Sequence, residues 1–372
     1  MKNVTKVRLS EQKTKKNLVF SSVSTFGAAK VRLSEQKTKN LSTKICTSNE
    51  EYLILQPMKE LLKNWTLPVA MLTGTLLYLL FAFTPALSGA AEVMEPFFDT
   101  ILPWFMFLIL LVTFCKVDYH KLRPVSWHLW VGLFQVLFIA IVVVLILGFG
   151  MKGERLILAE AMLCCIIGPG AAAAPVVTVK LGGNLESMTT YTFISNFITA
   201  TLVPVVFPLI DTDIHMSFLS SFLLILYKVC LILVLPMLLA YIVKHRMHRL
   251  HSWIIGIKDL SYYLWAISLA IVTGTTVRNI VNAETSVAFL LLIALLGLVL
   301  CVIQFAVGRY IGHFFNAVVN AGQALGQKNT TFAIWISYMY LNPLSSVGPG
   351  CYILWQNIVN SVELWQHRKI DN

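Results

Sequence analysis

From Thr66 onward the chain is a succession of apolar runs, each about 18 to 26 residues long and able to cross roughly 30 Å of hydrocarbon as a helix. The runs fall near 66–83, 97–115, 126–149, 155–180, 186–210, 216–243, 258–277, 286–310, 317–341 and 347–365, which predicts an all-α integral membrane fold of about ten spans. Two runs are broken where hydrocarbon should surround them. The fourth holds Gly168, Pro169 and Gly170, then four alanines ending at Pro175. The ninth holds A-G-Q-A-L-G-Q-K-N-T-T from Ala321 to Thr331, with Lys328 near its middle. Proline removes a backbone donor and clashes with the preceding turn, and glycine loosens the backbone, so both segments read as interrupted helices. Non-helical backbone at membrane depth is tolerated only where protein buries it or where it lines a watery cavity. Positions four and nine correspond when ten spans divide into two sets of five, and an odd number per half inverts the second set. Matching breaks in two such halves are the sequence signature of a transporter site at the interface of an inverted repeat.

The polar residues inside the spans sharpen that reading. A lysine at bilayer depth costs about 2.5–3.5 kcal/mol on insertion scales, which makes Lys328 a site candidate by default. It can equally hold unwound carbonyls without touching substrate. Asn329 fits either a ligand or a cap on the second half-helix. Lys228 sits about 12 residues from either end of the sixth span, too deep to snorkel easily, and can bind an anion or pair with a carboxylate. Glu160 lies eight residues before Gly168, about 12 Å along a helix, and fits an outer vestibule residue or a proton carrier. The histidines lack paired spacing with acidic partners, and Trp65, Trp104, Trp127, Trp130, Trp253 and Trp355 read as interfacial belt residues.

Composition agrees: 57% of residues are hydrophobic and 13% charged, with mean hydropathy +0.74. The net charge of +11 is not a nucleic-acid signal, because 13 of the 29 Lys and Arg precede Trp65 and most others occupy short loops. With the N-terminus inside, inner loops and the C-terminal tail carry eleven cations (Lys116, Lys121, Arg123, Lys180, Lys244, Arg246, Arg249, Lys258, Arg309, Arg368 and Lys369) against Lys152, Arg155 and Arg278 outside. That asymmetry places both termini in the cytoplasm of a cell inner (plasma) membrane protein. The expected organisation is a basic, disordered tail over 1–64, a transporter domain over 65–366 and a short tail over 367–372. The tail repeats K-V-R-L-S-E-Q-K-T-K at Lys6–Lys15 and Lys30–Lys39, and two readings stay open: a native disordered tail, or upstream sequence with Met58 as the natural start. The seven cysteines show no C-x-x-C and read as buried thiols.

These residues resemble the bile acid:sodium symporter family of the bile/arsenite/riboflavin transporter superfamily, over essentially everything from Trp65 onward. The family's P-G-G-x-x-S-N pattern aligns with Pro169 to Pro175, and its E-x-G-x-Q-N pattern with Ala324 to Asn329. Gln135 matches a third-span glutamine, and Gln304 holds a similar place in the eighth span. The resemblance implies broken spans four and nine that cross at mid-membrane. It further implies a core of spans three to five and eight to ten, and a panel of spans one, two, six and seven. Taken with Lys328 and Lys228 from their depth in the spans, it points to a ligand or ion site with Asn329, Gln327, Gln135 and Gln304, around a crossover backbone of Gly168, Pro169, Gly170 and Gly326 that here also holds Pro175. Where the family carries sodium ligands, this chain has Ala174, Pro175, Ala324 and Lys328. A hard cation wants oxygen donors, so these substitutions argue against both sodium sites, with the Lys328 ammonium standing in for the ion.

The function expected is secondary transport of a small organic anion across the lipid bilayer by alternating access. A receptor or channel-like anion binder is the alternative. No G-x-S-x-G, H-E-x-x-H or paired intramembrane carboxylates occur, so no enzyme chemistry, resident metal or cofactor is expected.

Overall fold

A computed structural model of the chain describes residues 66–210, 217–257 and 260–371. The basic tail with its repeat and Met58, the turn Asp211–His215, and Lys258 lie outside the described residues.

The described chain is helical throughout. In order it forms α1 (Thr66–Phe83), α2 (Ser88–Cys115), α3 (Ser126–Gly148), α4 (Glu154–Ile167), α5 (Ala174–Lys180) and α6 (Leu185–Ile210). Then come α7 (Phe218–Val229), α8 (Leu235–Arg246), α9 (His248–Gly256), α10 (Leu260–Val281) and α11 (Val287–His313). The last three are α12 (Val318–Gly326), α13 (Thr330–Tyr340) and α14 (Val347–Asp371). Among the described residues, six stretches are long and apolar enough to cross a membrane: Pro96–Cys115, Ser126–Gly148, Leu185–Ile210, Phe218–Arg246, Leu260–Val281 and Val287–His313. The apolar runs of the sequence thus map onto helices, and the fourth and ninth runs are each split in two. The final helix continues through the stretch 367–371 that was expected to be tail.

Helices α7 and α8 form one rod through a wide π turn at Cys230–Val234. Pro236 explains it, since it has no N–H to offer the carbonyl four residues back, and the local ladder widens to absorb the loss. Helices α11 and α12 approach unusually closely. A Cβ on Gly308 would meet the Ala321 carbonyl and the Gly322 Cα, and one on Gly312 would meet the Ala317 carbonyl and the Val318 Cα. The G-x-x-x-G spacing of these two residues is what lets the backbones touch without a hydrophobic driving force between helices.

Side-chain contacts sort the loops to two ends. At one end Lys121 pairs with Glu186 at 3.7 Å, His251 Nε2 lies 2.9 Å from the Cys115 carbonyl, and Arg309 pairs with Glu363. Asn184 and Asn320 also exchange two hydrogen bonds there, at 2.9 and 2.7 Å. At the other end Thr285 donates to Glu154 at 3.1 Å and Asn279 to Ser346 Oγ at 2.8 Å. The basic loops therefore collect at the first end, and Lys152, Arg155 and Arg278 belong to the second. The described cysteines are unpaired thiols, with Cys115, Cys164, Cys165 and Cys301 buried.

Filling the α11–α12 seam tests this packing. Gly308→Val is expected to cost about 1–3 kcal/mol through overpacking. In detergent-solubilised protein it should lower the thermal unfolding midpoint by several degrees; an unchanged midpoint would contradict the close approach.

Candidate functional site

The break between α4 and α5 and the break between α12 and α13 run antiparallel and pair as a two-bond bridge at Gly170 and Lys328. Ala171 N donates to the Gln327 carbonyl at 2.9 Å, and Asn329 N donates to the Pro169 carbonyl at 2.8 Å. Each break thereby satisfies part of the other's backbone, which neither could do alone in hydrocarbon. A Cβ on Gly170 would crowd Ser195 Oγ at 3.2 Å, and one on Gly326 would fall into the Phe305 ring, so both glycines admit a neighbour that a side chain would exclude.

The remaining backbone groups are met by side chains from four long helices. Gln135 of α3 donates to the Ile166 carbonyl at 3.0 Å and the Gly168 carbonyl at 3.3 Å. Gln304 of α11 donates to the Cys165 carbonyl at 3.2 Å and to Tyr352 at 3.1 Å. From α6, Thr199 donates to the Ile167 carbonyl at 2.8 Å, and Ser195 accepts from Gly170 N at 3.0 Å. From α14, Tyr352 donates to the Gly326 carbonyl at 2.7 Å, and Gln356 accepts from Lys328 N at 2.9 Å. The pattern is two-fold: the last carbonyl of each first half-helix accepts from a hydroxyl, and the N–H of each bridging residue donates to a side-chain oxygen, all from the long helix that follows.

Asn329 is the cap of α13, its Oδ1 accepting from Phe332 N at 3.2 Å. Pro175 sits in the first turn of α5 and is buried. Lys328 is 2% exposed, and its Nζ has no hydrogen-bond acceptor among the described residues. The Oε1 atoms of Gln304 and Gln327 are likewise buried without a donor. The site therefore combines a backbone held by cross-break and side-chain hydrogen bonds with a buried lysine amine and two amide oxygens that have capacity to spare.

Two predicted site residues lie elsewhere. Lys228 of α7 is half-buried, with Nζ 5.6 Å from the centroid of the Tyr340 ring at the far end of α13. Glu160 is buried at 3% exposure, where an open vestibule position was expected. Its Oε2 accepts from Ser345 Oγ and, at 3.3 Å, from Asn342 N, so it fastens the 3-10 turn Pro343–Ser346 to α4. Trp127 and His128 are also buried, not interfacial, because both reach Ser187 on α6. Ser195, Thr199, Tyr352 and Gln356 were missed by motif reading. Their spacing carried the signal: Thr192, Ser195, Asn196 and Thr199 stand at i, i+3, i+4 and i+7, and Tyr352, Gln356 and Asn360 at i, i+4 and i+8, each a polar stripe on an apolar helix.

A family model described as the Sodium Bile acid symporter family matches residues 103–309, more than half of the chain. The chain belongs to the sodium bile acid symporter family. No curated protein matches it. The match includes the first break and stops before the second. A family named for sodium invites the question of where a sodium ion would bind. Ala174 and Ala324 are both buried in an apolar cluster with Trp127, Val131, Met188 and Leu325. Methyl groups in such a setting offer a hard cation nothing to coordinate.

Tyr352→Phe leaves the Gly326 carbonyl and Gln304 short of a partner at no change in packing. It is expected to lower stability by about 1–3 kcal/mol, read as a lower midpoint in thermal unfolding of the purified protein. A midpoint equal to wild type would remove Tyr352 from the scaffold of the crossover.

Proposed function

We propose that this member of the family is a secondary transporter of a small organic anion, working by alternating access around the paired breaks and without sodium coupling. The observation that carries the reading is Lys328, a buried ammonium without an acceptor among the described residues, in the bridge that joins the two broken helices. A buried cation left alone is costly, and an anionic ligand supplies the missing charge. The α13 N-terminus, which begins at Thr330, adds partial positive charge to the same place. The spare oxygens of Gln304 and Gln327 suit a hydroxyl or amide donor on the cargo. A carboxylate, sulfate or sulfonate on a polyfunctional organic body fits this set.

Supporting the ten-span, 5+5 inverted repeat is the two-fold chemistry around the breaks: α6 and α14 serve Ile167 and Gly170, and Gly326 and Lys328, in equivalent ways. The basic end of the bundle is assigned to the cytoplasm by charge asymmetry, and the membrane to the cell inner membrane. We assign α3 to α6 and α11 to α14 to a core that carries the site, with α1, α2, α7, α8 and α10 as the panel against which it moves. Sodium independence is supported by Ala174 and Ala324 in their apolar cluster and by Lys328, whose side chain can lend a positive charge where an ion would otherwise be needed.

Uptake of radiolabelled taurocholate into proteoliposomes is expected to proceed equally with an inward sodium gradient and with choline in its place. A steep sodium requirement would refute the uncoupled reading. Lys328→Ala should abolish uptake while the protein inserts and folds as wild type, whereas unchanged uptake would make Lys328 a structural cation only.

A further inference from the structure

Helix α8 ends the membrane-spanning rod at Arg246, and α9 starts two residues later at His248. Met247 between them takes φ −116° and ψ +61°, outside helical geometry, so the rod breaks before the chain resumes as a helix. Two features fix α9 in place: His251 Nε2 lies 2.9 Å from the Cys115 carbonyl at the end of α2, and Ile254 is buried. The rest of the corner is open. Arg246, Arg249, Ser252 and Trp253 are all exposed, Trp253 at 63%.

Apolar surface and charge meet here in register. Leu238, Ile242 and Arg246 recur at i, i+4 and i+8, one exposed stripe along α8 whose first two members are apolar and whose last is a cation. An acyl chain lying along Leu238 and Ile242 brings its headgroup to Arg246, about 12 Å beyond Leu238. On α9, Arg249 and Trp253 stand four residues apart on one face, a guanidinium suited to phosphate beside an indole suited to the interfacial zone. The neighbouring bases are engaged already. Lys244 Nζ donates to the Val117 carbonyl and lies 5.6 Å from the centroid of the Tyr119 ring, and His245 Nδ1 lies 2.8 Å from the Tyr241 carbonyl. Arg246 and Arg249 meet no acidic side chain among the described residues. No Asp or Glu occurs from Met216 to Lys258, so the sequence itself supplies no local counter-charge.

We propose that the α8–α9 corner is a docking surface for anionic phospholipid headgroups of the surrounding membrane, with Arg246 and Arg249 on the headgroup charge and Trp253 beside it. An anionic lipid fits better than a zwitterionic one, because a choline headgroup carries its own ammonium next to the phosphate and offers two guanidinium groups no net charge to neutralise. Since His251 ties α9 to the end of α2, a bound headgroup holds α2, α8 and α9 together at the membrane surface. The inference rests on the membrane-spanning helices and holds whatever the protein carries.

The test places a fluorophore at Ser252→Cys, exposed between Arg249 and Trp253, in the full-length protein in equimolar bilayers of phosphatidylglycerol and phosphatidylcholine. Brominated acyl chains are carried by one lipid or by the other, so the ratio of the two quenching signals reads which headgroup is local. Background from native thiols is measured on the parent protein, and Val287→Cys, exposed at the opposite end of the bundle, gives the reference ratio. At low salt the glycerol-to-choline ratio at position 252 is expected to exceed that reference by about threefold. It should fall to the reference in Arg246→Gln/Arg249→Gln and persist in Arg246→Lys/Arg249→Lys. A ratio equal to the reference overturns the proposal whether or not the double glutamine variant folds, and returns the arginines to solvent or to a soluble acidic partner. A raised ratio that the glutamine pair leaves unchanged overturns it too, since another basic stretch, such as the one before Trp65, would then be recruiting the lipid. Free glycerol phosphate at constant ionic strength is expected to leave the ratio as it was. Collapse of the ratio in its presence assigns the arginines to a soluble phosphate and removes the lipid site.

Discussion

An unwound backbone in hydrocarbon must find a partner for every amide and carbonyl it exposes, and that requirement organises the centre of this protein. Breaking α4 from α5 and α12 from α13 frees polar groups that water would otherwise solvate. Placing the breaks antiparallel lets Ala171 and Asn329 satisfy Gln327 and Pro169 across the gap. The rest of the demand falls on helices that would be purely apolar if they only spanned lipid. Gln135, Ser195, Thr199, Gln304, Tyr352 and Gln356 each answer a particular carbonyl or amide, so the identities of four surrounding helices follow from two interruptions.

Seen this way, Lys328 is an exception with a meaning. Its backbone N–H is satisfied by Gln356, while its side chain, equally buried, has no acceptor among the described residues. The amide oxygens of Gln304 and Gln327 are also left without donors, but the Lys328 amine is the costlier case, because an unpaired charge costs more than an unpaired amide. The proposed anionic cargo would supply the missing partner from outside. The alanines at positions 174 and 324 point the same way, since they turn what could have been an oxygen-lined pocket into a methyl-lined one beside the same crossing.

Much of this was legible in the chain. The boundaries of the apolar runs match helices such as Thr66–Phe83, Ser126–Gly148 and Val287–His313 to within a few residues, because in lipid a helix must satisfy its own backbone and its length is set by the bilayer. The breaks were legible because glycine, proline and lysine interrupt hydrocarbon conspicuously. Less visible was the fate of side chains whose meaning depends on a distant partner. Glu160 read as an outer vestibule residue or a proton carrier along its own helix, and its role as a fastener shows only when Ser345, far along the chain, comes to lie beside it. Trp127 looked interfacial from its position near a span end, yet Ser187 draws it inward. Arg278 read as a loop charge, and its burial against Tyr338 depends on a packing of α10 on α13 that no local pattern announces.

The kinds of contact at different places suggest which parts move. Around the crossover, α3 to α6 and α11 to α14 are joined by short, directional hydrogen bonds between buried groups, which hold only one geometry. Toward α2, α7 and α10 the contacts change character. Phe193 of α6 meets Phe114 at 4.4 Å and Tyr119 at 5.8 Å between ring centroids, and Lys228 and Arg278 lie against the rings of Tyr340 and Tyr338. Lys121 and Glu186, both well exposed, form a 3.7 Å ion pair of the kind worth little. Rings and cations tolerate sliding of an ångström or more with small loss, whereas a buried carbonyl robbed of its donor does not. The exception is Asn279, whose hydrogen bonds to Ser346 and Pro343 tie α10 to the crossover side at the cavity end. A rocking motion of the proposed panel against the proposed core would then keep the crossover intact, roll the aromatic contacts at the basic end, and make or break the Asn279 bonds at the opposite end.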